Sequence, residues 1–277
     1  MSNYLSFEYD LNNLEVASIF DELSFWAARF GTLLFDNLEL SKDLKILDLA
    51  CGNGFPLFEL ANVFGSSSEI TGVDIWQAGL ARATLKQNIH KFPNVKILEA
   101  NGENLPFSDS AFNLITSNLG INNFADPTKV ILECYRVLLP KGKIVLTTNL
   151  NGHFQEFYRV FRDILISFNN QSYIDKLEAN ENHRGTKKSV SHLLESVGFD
   201  ITKIIEDKFY MKFVDGSALL NHSLVKVGFL GGWKGCIDPK DQAEVFSKLE
   251  TSLNDLANQQ GQLKMTIPML YIEAQKN

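Results

Sequence analysis

Apolar residues follow two rhythms along this chain. Between residues 44 and 150, short apolar runs alternate with stretches in which apolar residues recur every three or four positions. The first rhythm predicts buried strands and the second amphipathic helices. Lys45-Ile46-Leu47-Asp48-Leu49-Ala50 reads as a strand, and Phe55 to Phe64 as a helix that Gly65 caps. Ile70 to Ile75 reads as a second strand, Gln77 to Lys91 as a helix ending before Pro93, Val95 to Ala100 as a third strand and Phe112 to Ser117 as a fourth. Asp126 and Pro127 suit the cap and first position of a helix with an apolar stripe of Val130, Ile131, Cys134, Val137 and Leu138. A turn at Pro140-Lys141-Gly142 is expected to lead into a fifth strand, Lys143 to Thr148. Strand–helix units repeated at this spacing predict a parallel sheet with helices on both faces.

The ends of the chain differ. Residues 1–43 are predicted mostly helical, with Leu14, Ile19, Leu23, Trp26 and Phe30 spaced at three to five. Residues 151–186 open with Phe154, Phe157, Tyr158 and Phe161 and reach a polar loop from Asn180 to Gly185. Ser189 to Val197 reads as a helix closed by Gly198, and Ile201 to Phe213 as a strand. Asp215 to Trp233 is predicted as one helix, with Leu219, Leu220, Leu224 and Val227 along one side, and Pro239 to Asn258 as another. Met269 to Gln275 alternates as a last strand, with Pro268 just before it because proline breaks a central ladder. Without a repeat, low-complexity segment or linker, the pattern predicts a single elaborated α/β domain over 1–277.

Composition narrows the function classes. Lys and Arg number 26 against 33 Asp and Glu, a net charge of −7, so no basic surplus exists to neutralise a nucleic acid. Hydrophobic residues at 45% and charged residues at 21% describe a globular chain. No apolar run has the length of a membrane span, and Met1-Ser2-Asn3-Tyr4 begins neither a basic nor an apolar signal region. Cys51, Cys134 and Cys236 are odd in number and far apart, so neither a disulfide framework nor a metal site is expected, and a reducing cytoplasm fits. The 21 phenylalanines fit an apolar pocket or an ordinary Phe-rich core.

Open parallel sheets bind ligands at the carboxyl ends of their strands. The first strand ends in Asp48-Leu49-Ala50-Cys51-Gly52-Asn53-Gly54, where the glycines permit a close backbone approach and the next helix aims free N–H groups at a ligand. The second ends in Asp74, which can accept both hydroxyls of a ribose. The third ends in Asn101-Gly102-Glu103-Asn104-Leu105-Pro106-Phe107, where a polar side chain and a free N–H can read an adenine edge.

Ile46 to Gly54 resembles motif I of class I S-adenosylmethionine-dependent methyltransferases, and Gly72-Val73-Asp74-Ile75 is similar to their second motif. Asn101 to Phe107 resembles the DAExLPF segment of the type 11, ubiquinone/menaquinone-biosynthesis-like subgroup, and Arg136-Val137-Leu138-Leu139-Pro140-Lys141-Gly142-Lys143 its RVLKPGG turn. The match spans roughly residues 44–150, in order and spacing. It implies a Rossmann-like, seven-stranded, mostly parallel sheet whose last strand is antiparallel, with helical cap insertions. It divides the chain into an N-terminal helical cap (1–43), a cofactor-binding core (44–150) and a C-terminal sheet half (151–277) with insertions near 151–186 and 215–262.

The resemblance also implies roles. Ala50, Cys51, Gly52, Asn53 and Gly54 would pack against the methionine part of S-adenosylmethionine, with Asp48 helping to hold its amino group. Asp74 would bind the ribose, Ile75 or Trp76 would lie against the adenine, and Asn101, Gly102 and Glu103 would stand at its edge. Asn118 would line the site near the methionine group. Ala50 replaces the usual first glycine and Asn101 the usual aspartate. A dinucleotide site, as in an NAD oxidoreductase, needs a third glycine where Leu57 stands.

Methyl transfer is an in-line displacement, so alignment and a dry site do most of the work. A base is needed only when the acceptor must lose a proton. His153, just beyond the fifth strand, is the candidate base; a surface-loop histidine is the alternative. His222, the His183–Arg184 pair as an anion clamp, and Arg29 as a carboxylate partner are further candidates beside ordinary solvated roles. The expected function is methyl transfer to a small, apolar or aromatic acceptor. The alternatives are a non-catalytic cofactor-binding protein acting with a partner and the NAD oxidoreductase.

Overall fold

The computed structural model describes residues 3–22 and 24–277; Leu23 of the N-terminal stripe lies outside them. After a short 3-10 turn come α1 (Leu14–Glu22) and α2 (Ser24–Phe35). The expected alternation follows: β1 (Lys45–Leu49), α3 (Leu57–Phe64), β2 (Glu69–Asp74), α4 (Gln77–His90), β3 (Val95–Glu99), β4 (Phe112–Asn118), α5 (Pro127–Val137) and β5 (Leu138–Asn149). The remainder is α6 (Gln155–Ser167), α7 (Gln171–Glu181), α8 (Lys187–Val197), β6 (Phe199–Phe213), α9 (Gly216–Asn221), α10 (Ser223–Gly228), α11 (Leu230–Gly235), α12 (Pro239–Gln260) and β7 (Leu263–Lys276). No helix among the described residues is long and apolar enough to cross a membrane.

The seven strands form one mixed sheet in the order β3-β2-β1-β4-β5-β7-β6, the Rossmann-like α/β fold that the motifs imply. β1 pairs in parallel with β2 and β4, β2 with β3, and β4 with β5. The last four residues of β1 and the last five of β4 are buried because helices cover both faces of a parallel sheet. At the edge, β6 alternates between half-buried and exposed positions. Short-range signals set several boundaries. Asp126 Oδ1 accepts from Lys129 N at 3.0 Å with Pro127 in the first turn of α5, and Gly198 (φ 106°) ends α8.

Three local expectations are corrected. Pro140-Lys141-Gly142 is a bulge inside β5: Phe112 pairs with Leu138 but Leu114 with Lys143, so the residues between are surplus to the ladder, with Lys141 at φ 65°. Asp215 to Trp233 is three short helices. His222 is extended and Phe229 sits at φ −134°, which turns Leu219 and Leu220, Leu224 and Val225, and Leu230 and Trp233 inward on separate faces. Pro268 lies within β7, where its carbonyl accepts from Leu150 N at 3.2 Å; only its missing N–H is lost to the ladder.

The chain gathers into two compact units. One comprises residues 1–9, 149–185 and 207–268, the other 10–148, 186–206 and 269–277. The core of the first is aromatic, with Tyr4, Phe154, Phe157, Phe161, Trp233 and Phe246 all buried. That of the second is aliphatic, built on Ile46, Leu47, Ile70, Val73, Ile115 and Val145 of the sheet.

Candidate functional site

In the second unit, β4 lies beside β1 on the side away from β2, so connections leave the sheet in opposite directions from these central strands. A crevice forms at such a reversal, outside the carboxyl ends of the strands. A cavity of ≈ 380 Å³ occurs there, lined by Ala50, Asp74, Ile75, Asn101, Gly102, Glu103 and Asn118 among the expected residues. Leu49, Val73, Ala100, Leu119, Gly120, Asn123, Phe124, Ala125 and Val130 complete its wall.

Asp74 is the polar centre of this wall. Its Oδ2 accepts from Gly52 N and its Oδ1 from Trp76 N, both at 2.8 Å. The two bonds fix the carboxylate between the motif I turn and the end of β2 and leave each oxygen a second lone pair. Ala50 adopts φ 61°, a left-handed conformation that glycine would reach without strain. Gly54 at φ 101° could not carry a side chain, since a Cβ would overlap the Phe58 ring. Ile75 is 67% exposed and presents an apolar face to the cavity. Asn101 Oδ1 accepts from Glu103 N at 2.9 Å, while the Glu103 carboxylate meets Lys129 Nζ at 3.5 Å. Asn118 is locked from two sides: its Oδ1 accepts from Thr147 Oγ1 at 2.7 Å and its Nδ2 donates to Ala27 O at 3.4 Å.

Other expected residues stand behind the wall. Asp48 is fully buried; Thr116 Oγ1 donates to its Oδ1 at 3.0 Å, and Oδ2 has no partner. Burial pushes its pKa up to about 8, with Thr116 opposing and the Asp74 charge adding, so Asp48 is mostly protonated at pH 7. Cys51 is buried, and burial, Asp48 and Asp74 hold its thiol well above the ordinary range, which leaves it unreactive. Gly52 serves the site through its N–H to Asp74.

Two residues face away from the cavity toward α1. Trp76 Nε1 donates to Leu11 O at 2.6 Å, and its ring packs edge-on against Phe20 at 4.9 Å. Asn53 Nδ2 donates to Asp21 Oδ1 at 2.7 Å. Asp21 also receives Arg82 Nε at 2.7 Å and Lys86 Nζ, and Lys86 donates to Asn53 O at 3.0 Å. Partial burial would raise the Asp21 pKa, but its bonds to Lys86 and Arg82 prevail and lower it. This network straps α1 to α4 and to the motif I turn, and no short-range pattern announced it.

In the first unit, His153 is wholly buried among Phe154, Tyr158 and Phe229, with ring centroids at 5.8, 5.6 and 5.7 Å. Neither ring nitrogen has a hydrogen-bond partner. Burial first, and the Arg184 charge second, push its pKa down to about 3, and His183 adds to this. The Leu150 carbonyl acts the other way without reaching hydrogen-bond geometry. His153 is therefore a neutral imidazole at pH 7. His183 and His222 are exposed, as is Arg29 on α2 in the second unit, whereas Arg184 is half-buried.

The lining residues that motif reading missed follow one rule it already used. Leu119 and Gly120 leave the end of β4 as Ala50 leaves that of β1, and a Cβ on Gly120 would reach to 3.0 Å of Ala50 Cβ. Val130 comes from the buried stripe of α5. Phe124 and Ala125 carry no sequence signal.

A family model described as a methyltransferase domain matches residues 40–204. A demethylmenaquinone methyltransferase of Geobacillus sp. (strain WCH70) is 35% identical over 47% of this chain and 58% of its own length. A ubiquinone/menaquinone biosynthesis C-methyltransferase UbiE of Rickettsia prowazekii (strain Madrid E) is 31% identical over 66% of this chain and 76% of its own length. The chain spans between 54% and 61% of the length of the first curated relatives that it matches. The crystal structure of YcgJ from Bacillus subtilis is similar with a TM-score of 0.61 and 15% identity, over 90% of this chain and 99% of that one. A Haemonchus contortus phosphoethanolamine N-methyltransferase 2 in complex with S-adenosylhomocysteine has a TM-score of 0.54 and 16% identity, over 91% of this chain and 52% of that one. At those identities the solved structures share the fold.

Proposed function

The chain belongs to the class I S-adenosylmethionine-dependent methyltransferase family, of the UbiE-like subgroup, and on that premise we propose that it transfers a methyl group from S-adenosylmethionine to a small, apolar or aromatic acceptor. The observation that carries this reading is the convergence of four strand ends on one cavity, with Ala50, Asp74, Asn101 and Asn118 each contributing from a different strand or the loop after it. When bound, the cofactor supplies a methyl group already activated on a sulfonium.

The residues present fit that cofactor. Asp74 retains acceptor capacity for a ribose after serving Gly52 and Trp76. Gly102 leaves room at the end of β3: a Cβ there would come within 3.3 Å of Val130. Ile75 offers the apolar face and Asn101 the polar edge that an adenine requires. Asp48 acts from behind through its unpartnered buried Oδ2. Asn118, held by Thr147 and Ala27, positions the end of β4. Trp76 and Asn53 support the site by holding α1 instead of touching the cofactor.

Displacement in line needs alignment and exclusion of water more than acid–base help. His153, the candidate base, is wholly buried and its pKa is pushed down to about 3, which makes it a weak base, so the proposal does not depend on it. The relatives named for demethylmenaquinone and for ubiquinone/menaquinone biosynthesis support an acceptor with an apolar ring. Parallel calorimetric titrations with S-adenosylmethionine, S-adenosylhomocysteine and NAD test the reading. The first two are expected to bind and NAD is not. Binding of NAD alone overturns the proposal, and cofactor binding with no methyl transfer to any apolar or quinol acceptor favours a non-catalytic binding protein.

A further inference from the structure

The chain carries three Asn-Gly pairs: Asn53-Gly54, Asn101-Gly102 and Asn151-Gly152. A glycine after asparagine lets its backbone nitrogen reach the side-chain amide carbon, because no Cβ obstructs the approach and the backbone turns freely. The fold restrains two of the pairs. Asn53 Nδ2 donates to Asp21 Oδ1 at 2.7 Å and Gly54 N to Cys51 O at 2.9 Å, so the nitrogen that would leave and the nitrogen that would attack are both held. Asn151 Nδ2 donates to Asn182 Oδ1 at 2.9 Å and to Glu181 O at 3.3 Å.

Asn101 is placed differently. It is exposed on the cavity wall, and among the described residues neither its Nδ2 nor the N–H of Gly102 makes a hydrogen bond. Its Oδ1 accepts from Glu103 N at 2.9 Å, an Asx turn that folds the side chain back over the Gly102 peptide. The same bond polarises the side-chain carbonyl and makes its carbon a better electrophile. Asn104 N donates to Asn101 O at 3.0 Å and closes the turn around the pair.

We propose that Asn101 is a self-modification site, which deamidates through a cyclic imide with Gly102 and leaves a carboxylate on the cavity wall. The Gly102 nitrogen forms a bond to Asn101 Cγ, the Cγ–Nδ2 bond breaks, and the proton lost from Gly102 N departs with Nδ2 as ammonia. Water then opens the imide. Addition at Cγ gives an aspartate side chain, and addition at the backbone carbonyl carbon gives isoaspartate. No other reactant enters and nothing is oxidised or reduced. Either product adds one negative charge at neutral pH. The consequence rests on the reading of the cavity as a cofactor site: at an adenine edge, a carboxylate is a stronger acceptor than a neutral amide oxygen, so the aspartate form should hold the cofactor more tightly.

Ageing the full chain at mildly alkaline pH, followed by peptide mapping in a mass spectrometer, tests this. Asn101 is expected to show the mass gain of deamidation ahead of Asn53 and Asn151, and Gly102→Ala is expected to lose that gain. An intact Asn101, earlier deamidation at Asn53 or Asn151, or an undiminished gain in Gly102→Ala overturns the proposal. Calorimetry of Asn101→Asp, which carries the carboxylate from the start, tests the consequence. It is expected to bind S-adenosylhomocysteine about fivefold more tightly than the parent. Binding no tighter than the parent overturns the gain in affinity. Failure of both chains to bind S-adenosylhomocysteine while Asn101 still deamidates refutes the functional reading and not the modification.

Discussion

Removing the Asp74 carboxylate should damage the cofactor site through two separable losses. The first is structural: Asp74→Ala deletes the acceptor of two backbone N–H groups, Gly52 and Trp76, each held at 2.8 Å. A hydrogen bond to a charged acceptor contributes about 1.5–3 kcal/mol. Asp74→Asn keeps one oxygen, so whichever backbone N–H faces the new amide meets a donor in place of an acceptor. The second loss is the ribose contact itself. A net loss of about 2 kcal/mol corresponds to a factor of roughly thirty in affinity, so both variants are expected to bind S-adenosylhomocysteine more than tenfold more weakly than the parent. Titration calorimetry gives the affinities, and thermal unfolding confirms that the variants are folded. Adenosine and 2′,3′-dideoxyadenosine then separate the two losses in a double-mutant cycle. The parent should prefer adenosine, and Asp74→Ala should not distinguish the two. If Asp74→Ala keeps the full preference for the hydroxylated nucleoside, the ribose assignment is wrong; if its affinity for S-adenosylhomocysteine is within twofold of the parent, the whole argument for Asp74 fails.

Two buried groups give opposite pH dependences. His153 has a native pKa near 3 against an ordinary 6.5, so the unfolded chain binds the extra proton between those values and stability rises with pH there. Asp48 has a native pKa near 8 against 3.8, so the native state binds the extra proton and stability falls as pH rises across that window. Each effect is at most about 5–6 kcal/mol. Between pH 3.8 and 6.5 the two slopes oppose and nearly cancel, which leaves a fall above 6.5. Denaturant titrations from acid to pH 8 should show Asp48→Asn lose that fall and gain a rise below 6.5, and His153→Phe extend the fall down toward pH 4; unaltered profiles would contradict the burial of these charges. Asp21→Ala cuts the strap between α1, α4 and the motif I turn. Amide exchange over residues 14–22 should then accelerate by about tenfold, from a network worth ~1–2 kcal/mol, while unchanged exchange would show that packing alone holds α1. Ala50→Gly should relieve the left-handed strain at φ 61° and raise stability by about 1 kcal/mol, read as an upward shift of the urea midpoint; a downward shift would show that the Ala50 methyl contributes more by packing than the strain removes.

Much of the strand and helix pattern was legible because its signals are local. β1 and β4 read as apolar runs since a parallel strand covered on both faces admits few polar residues. Asp126 and Pro127 mark a helix start by chemistry confined to one turn, and Gly198 marks an end in the same way. The cavity is lined by Asp74 and Asn101, which the rule that ligands bind beyond the carboxyl ends of strands singles out, and by Asn118, which the family resemblance named. The three short helices after β6 were read as one because Leu219, Leu220 and Leu224 keep a helical spacing; only the extended backbone at His222 separates them.

Tertiary contacts settled which neighbours in a motif face the cavity. Ile75 and Trp76 are adjacent and equally apolar, yet the indole turns to the Leu11 carbonyl, 65 residues away in the chain, and Ile75 is left to line the wall. Asn53 sits inside motif I, but its side chain is claimed by Asp21, 32 residues earlier. Arg184 was named with His183 as a candidate anion clamp in a polar loop, but only the fold shows that its guanidinium lies over the Phe229 ring. Periodicity and capping act over a few residues and therefore show in the sequence. Side-chain direction, desolvation and the presence or lack of a counter-charge depend on groups brought together from distant positions, and these appear only when the chain is folded.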